Sequence, residues 1–412
     1  MKLKWTVPIV VIFLLAAGCR DTEEGKPMAE QPNVTEDQQP ENNGGETEKP
    51  STSPGQGINQ PGKPAVQPGK ATGQPQKPSN QPGPPIQQNI QIRDESIVKE
   101  NPIINIVYPQ IDGLKDKMAQ DKLNAILKEK ANNVDESQMT NEDPNAPSSF
   151  YSKYKITFQN EHLISFVYDQ YFYLSGAAHG MPSRIPILVD LDKGRIVEAN
   201  ELFSNALQTK QIISELVLRQ DVLHTLDAMG EFKQISSDDL KQVYVTKEGL
   251  MMYFPPYEYA SYAEGTLQYH LAYSDIQNVL NAAFFKSHGI DISQPTDFTT
   301  IYFTEGYHFS VPKEWMDRLI FERADYEENN PWFSEINLYS NTASKPLLLS
   351  FHMYEKQVWT ALNPAGVEVK LTEDSDIIYS YIVTPYIEND PQLNEFLQNI
   401  VPKMMKTFQL DN

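Results

Sequence analysis

Three kinds of hydrophobic pattern follow one another along the chain. Trp5 to Ala17 is an unbroken apolar run behind Lys2 and Lys4, too short and too one-sided for an ordinary membrane span. From Arg20 to about Asp94 apolar side chains are sparse and Pro, Gly, Gln, Asn, Glu and Lys dominate, a composition that cannot offset the entropy of ordering. Beyond it periodic patterns begin. Ile103, Ile104, Ile106 and Val107 form a β-prone run ending at Tyr108-Pro109, and Leu114, Met118, Leu123, Ile126 and Leu127 then fall at helical spacing behind Gly113. Strands are predicted over Tyr151–Phe158, His162–Leu174 and Arg184–Leu191. In the middle one Ile164, Phe166, Tyr168 and Phe172 share one face and Val167, Tyr171 and Tyr173 the other, which predicts a central strand. The Asp192-Lys193-Gly194-Arg195 turn precedes a second predicted helix over about 207–229, with Ile212, Ile213, Leu216, Leu218 and Leu223 toward the sheet. A hairpin joins Val243–Val245 to Leu250–Phe254, Thr266–Ala272 makes another strand, and a helix starts near Asp275.

Gly289 to Pro295 marks a boundary. After it Thr299–Phe303 and Tyr307–Val311 flank a turn at Glu305-Gly306, and Leu319–Arg323, Phe333–Tyr339, Leu347–Tyr354 and Ile377–Thr384 read as strands. A closing helix carries Asp390 as N-cap and Pro391 at its first position. Strands and helices do not alternate as regular βαβ units. The expected fold class is therefore α+β, with two domains at 96–290 and 296–412, each a mostly antiparallel sheet packed by helices, after a disordered tether. The order of elements in the second is similar to small α/β sandwich domains of the PsbP type.

The end of the apolar run fixes the expected compartment. Leu15-Ala16-Ala17-Gly18-Cys19 resembles a bacterial lipobox, with Ala16 where Leu is usual, and Cys19 is the only cysteine of the 412 residues. The resemblance implies a signal peptide over 1–18, a diacylated Cys19 as first mature residue, and a lipoprotein held on the extracellular face of the cell membrane. The linker over 19–95 repeats Gln60-Pro61-Gly62-Lys63 loosely, and reads as a spacer that carries the domains away from the membrane. Charge sharpens the list of partners. The net charge is −21, of which 1–19 carry +2, 20–50 carry −6 and 51–90 carry +3, leaving −20 for 91–412. This balance argues against nucleic acid and favours cationic partners.

Candidate chemistry is sparse. The seven histidines, at 162, 179, 224, 270, 288, 308 and 352, form no close pair, so no metal site, no cofactor and no catalytic set is expected, and the chain is read as not an enzyme. Ser175 and His179 lack the Gly-x-Ser-x-Gly turn of a nucleophile elbow, the sequence being Tyr173-Leu174-Ser175-Gly176-Ala177. Tyrosines are the remaining signal. Tyr257, Tyr259 and Tyr262 crowd the loop after Phe254, and with His179 on the loop after the central strand they make the candidate ligand-binding set, His179, Tyr257, Tyr259 and Tyr262. Glu258 and Glu264 stand among them as a local negative field.

Tyr171-Phe172-Tyr173-Leu174-Ser175-Gly176-Ala177-Ala178-His179-Gly180, the Asp190–Arg195 hairpin with Leu202-Phe203, and Tyr244 to Leu250 through Tyr257 together resemble a family of extracytoplasmic Firmicute domains. That family includes the ectodomain of RsiV-type lysozyme-binding anti-sigma factors and the non-catalytic part of PdaC-type peptidoglycan deacetylases. Two departures stand out: Gly176-Ala177-Ala178-His179 replaces the usual Gly-Gly-Ala-His turn, and no cytoplasmic sigma-binding segment is present. The resemblance implies a binding or sensing role at the cell wall, with a lysozyme-like protein or peptidoglycan glycan as ligand. The alternative is an accessory enzyme of wall-glycan processing.

Overall fold

The computed structural model describes residues 89–139, 146–226, 230, 232–324, 330–362 and 366–411. The expected signal peptide at 1–18, the expected lipidation site at Cys19 and the expected linker through residue 88 lie outside the described residues. Order starts earlier than the expected residue 96. Strand β1, Gln91–Glu100, runs antiparallel to β2, Ile103–Asp112, because Ile92 and Ile97 both pack on the core and Tyr154 donates to Asp94 at 2.5 Å.

The first sheet continues through β3, Ser149–Gln159, β4, Leu163–Tyr173, β5, Met181–Asp190, and β6, Arg195–Val197, in chain order. Only the β2–β3 pair is parallel, and helix α1, Lys117–Ala131, lies between them in sequence. Asp116 starts α1 by accepting from the amides of Met118 and Ala119. Leu123, Leu127 and Ala131 face the sheet, whereas Met118, read above at the same helical spacing, is 84% exposed on the first turn. On β4, Ile164, Phe166 and Tyr168 meet α1, and Leu163 and Val167 are equally buried on the opposite face. Both faces are covered, as a central strand requires.

The second sheet has the order β17-β11-β10-β9-β8-β7. Its strands are β7, Val243–Val245, β8, Gly249–Phe254, β9, Leu267–Ala272, β10, Phe298–Phe303, β11, Tyr307–Pro312, and the terminal β17, Gln409–Leu410. It runs on across residues 289–296, since Ile301 of β10 pairs with Tyr269 of β9. One face buries Leu250, Met252, Phe254 and Leu271 under Ile213 and Val217 of helix α2, Ala206–Gln220. This helix stops nine residues short of the expected 229. Asp221 turns its carboxylate to the amides of Thr225 and Leu226 at 3.0 and 2.9 Å, which folds the chain back, and Leu218 points outward, 47% exposed.

The third sheet, order β12-β13-β14-β16-β15, comprises Leu319–Arg323, Ser334–Ser340, Leu347–Glu355, Val369–Glu373 (β15) and Ile377–Val383 (β16), all antiparallel. Phe351 and Leu349 of β14 share a core with Phe309 of β11 and with Phe396, Val401 and Met404 near the C-terminus. Asp390 caps that last helical stretch by accepting from Leu393 N at 3.0 Å, with Pro391 at its first position. The observed architecture is α+β with mostly antiparallel sheets. Strands β15 and β17 have no counterpart in the hydrophobic pattern.

Candidate functional site

The loop after β4 and the loop after β8 meet. Gly176 takes φ +83 and Ala177 N bonds back to Leu174 O, so the chain turns sharply beyond Tyr173. Gly180 lies under the Tyr171 ring: a Cβ there would stand 2.2 Å from Cζ of Tyr171 and push that exposed ring aside. Across from it, Tyr257 N bonds Ala260 O and Gly265 at φ +67 closes the Tyr262–Glu264 turn.

These turns put His179 among tyrosines. Its Nδ1 lies 3.0 Å from Gly180 O, so it donates there, and Nε2 is left to accept from the Tyr257 hydroxyl at 3.1 Å. Its ring stacks on Tyr262 with centroids 3.8 Å apart at 24°, and Tyr257 and Tyr262 are 5.6 Å apart. Tyr257 is 52% exposed and holds φ 70, a left-handed conformation that a non-glycine residue adopts at the expense of about 1 kcal/mol. Tyr171, beside Gly180, is also exposed.

Three of the four candidate residues are thus together, and Tyr259 is not. Its ring sits edge-on to Phe232 and Phe254 at 5.1 and 5.0 Å, and its hydroxyl donates to Asp239 at 2.9 Å, because residue 259 faces the core from the inner side of the turn. Burial and the Asp239 carboxylate push the Tyr259 hydroxyl up from its usual range. The expected negative field is altered as well. Glu258 turns inward onto the Gln242 amide at 2.8 and 2.9 Å, and burial raises it to about 7, with Asp239 close by adding to the rise. Glu264 is engaged by Arg323 at 3.3 Å. Ser175 is buried, with its amide bonded to Ser148 Oγ. Among the described residues no three His, Cys, Asp or Glu side chains converge as metal ligands, and no helix is long and apolar enough to cross a membrane.

Residues 97–182 match the family model described as Deacetylase PdaC, and 200–274 match a Protein of unknown function, DUF3298. This part of the chain matches the PdaC/DUF3298-type domain family. Solved structures similar to it include a DUF3298 family member from Bacteroides fragilis, 14% identical over 49% of this chain and 98% of that one, TM-score 0.35. Another is a DUF3298 family protein from Pseudomonas aeruginosa, 15% identical over 47% and 95%, TM-score 0.34. No curated protein matches. Within the PdaC/DUF3298-type region, His179 belongs to the first matched segment and Tyr257 and Tyr262 to the second, so the tyrosine surface is built jointly by both. The two models fit an extracytoplasmic, cell-envelope-related protein.

Proposed function

We propose that the protein is a membrane-anchored lipoprotein with a non-catalytic binding or sensing role at the cell wall, its lipid on Cys19. The observation that carries the binding role is the His179–Tyr257–Tyr262 cluster, with His179 and Tyr257 exposed and Tyr262 half-buried, joined from two loops and held by a hydrogen bond, a ring stack and a strained backbone. Aromatic rings presented on fixed turns supply apolar contact area and polar tips at small entropic expense, the properties of interface anchors. The ligand is a cationic, lysozyme-like wall-active protein. The −20 charge of residues 91–412 supports this choice as a diffuse field that raises encounter rates, whereas Glu258 and Glu264 contribute little at the surface itself. Calorimetric titration with lysozyme, alongside sedimentation with purified peptidoglycan, tests the reading. Heat with lysozyme that vanishes in Tyr262→Ala supports it, and pelleting with peptidoglycan alone transfers the surface to the glycan.

A further inference from the structure

A separate feature lies between β9 and β10, where the second sheet is split. These strands pair only at Ile301↔Tyr269. His270, next in register, faces Met251 of β8 as a non-hydrogen-bonded pair, so its N–H and C=O point toward β10. There the Gln220 side chain takes both, donating to His270 O at 2.8 Å and accepting from His270 N at 3.1 Å. The amide at the end of α2 thereby stands in for a strand residue and holds the two strands apart.

The split opens a cleft of about 590 Å³, walled by β9, β10, β11 and the 291–297 segment, within the size range of small-ligand sites. Its floor is a row of hydroxyls and one imidazole. Thr300 and Ser310 are cross-strand partners with oxygens 3.0 Å apart, and Thr407 Oγ1 accepts from Ser310 N at 2.7 Å. Among the described residues nothing hydrogen-bonds to either ring nitrogen of His270, and burial lowers its basicity, leaving a neutral ring with one donor and one acceptor. At the rim, the carboxylates of Glu248 and Asp297 have no donor among the described residues, and the ring of Phe298 is 39% exposed.

We propose that this cleft is a binding site for a short saccharide of one or two rings, stacked on Phe298 and hydrogen-bonded by His270, Thr300 and the rim carboxylates. Side-by-side hydroxyls, free carboxylates and one exposed aromatic face match the alternation of hydroxyls and C–H faces on a sugar ring. A purely apolar ligand would strand the imidazole and hydroxyls without partners.

The test is a saturation-transfer NMR titration of the full chain with N,N′-diacetylchitobiose, cellobiose and maltose. At least one sugar should bind, with affinity falling about tenfold in Phe298→Ala and in His270→Gln and remaining unchanged in Leu207→Ala, an exposed position on α2. Phe298 is exposed, so its variant reads binding even where His270→Gln weakens the fold. Silence from all three sugars, undiminished binding in Phe298→Ala, or the same loss in Leu207→Ala overturns the proposal.

Discussion

Tyr257 combines two unusual properties, exposure and a left-handed backbone, and they have one explanation: the φ of 70 carries its hydroxyl to Nε2 of His179. The backbone term is separable from the side chain. Tyr257→Gly should be about 1 kcal/mol more stable than Tyr257→Ala in urea denaturation, because glycine adopts that φ freely, while both lose the ring. Equal stabilities would show the conformation to be unstrained. Glu258 gives a pH signature. Its folded value of about 7 lies above the ordinary carboxylate value of 4.5, so the folded protein holds the proton more tightly than the unfolded chain. Stability must then fall as pH rises from about 4.5 to about 7, by about 1–2 kcal/mol once its partial exposure is allowed for. Glu258→Gln should flatten that segment of the stability–pH curve, and a curve of unchanged slope would contradict the assignment.

At the scale of elements, Gln220 replaces a strand partner. Gln220→Ala should leave two backbone groups of His270 unpaired, lower stability by about 1–3 kcal/mol and speed hydrogen exchange at the His270 amide. Nothing in the hydrophobic pattern announces such a split, since β9 and β10 each alternate normally and the spacer is a polar side chain 50 residues away. The strands themselves were legible wherever alternation was strong, as in β4 and β14, and so was the Asp390 cap. Strand β15 was not, because Val369 is 52% exposed on an edge and its neighbours are polar. The end of α2 was missed for a related reason: Leu223 continues the helical spacing, and only the Asp221 carboxylate, closing on Thr225 and Leu226, overrides it. Of the candidate site, the meeting of the two loops was not readable from strand order, since β4 and β8 lie in different sheets. Nor was it readable which tyrosines face out, since Tyr257 and Tyr259 differ by a turn whose handedness no residue type declares.

For the whole molecule, the composition of residues 20–88 is that expected of a linker ahead of the folded residues. The spacer composition predicts that limited proteolysis cuts first between Arg20 and about residue 88 and leaves a stable fragment beginning near Gln91, where β1 starts. Early cuts within the first sheet would contradict that order. Replacement of Cys19 by Ser should release the protein to the medium, read by cell fractionation, and retention after high-salt washing would refute a lipid anchor there. The binding surface remains the central claim, and calorimetric titration of the full chain with lysozyme at low salt tests it most directly. The predicted result is measurable heat that weakens as salt rises, with affinity lowered by about 1–3 kcal/mol in Tyr257→Ala and in Tyr262→Ala at unchanged melting temperature. Absence of heat with the unaltered protein, or affinity in both variants as high as in the unaltered protein, would contradict it.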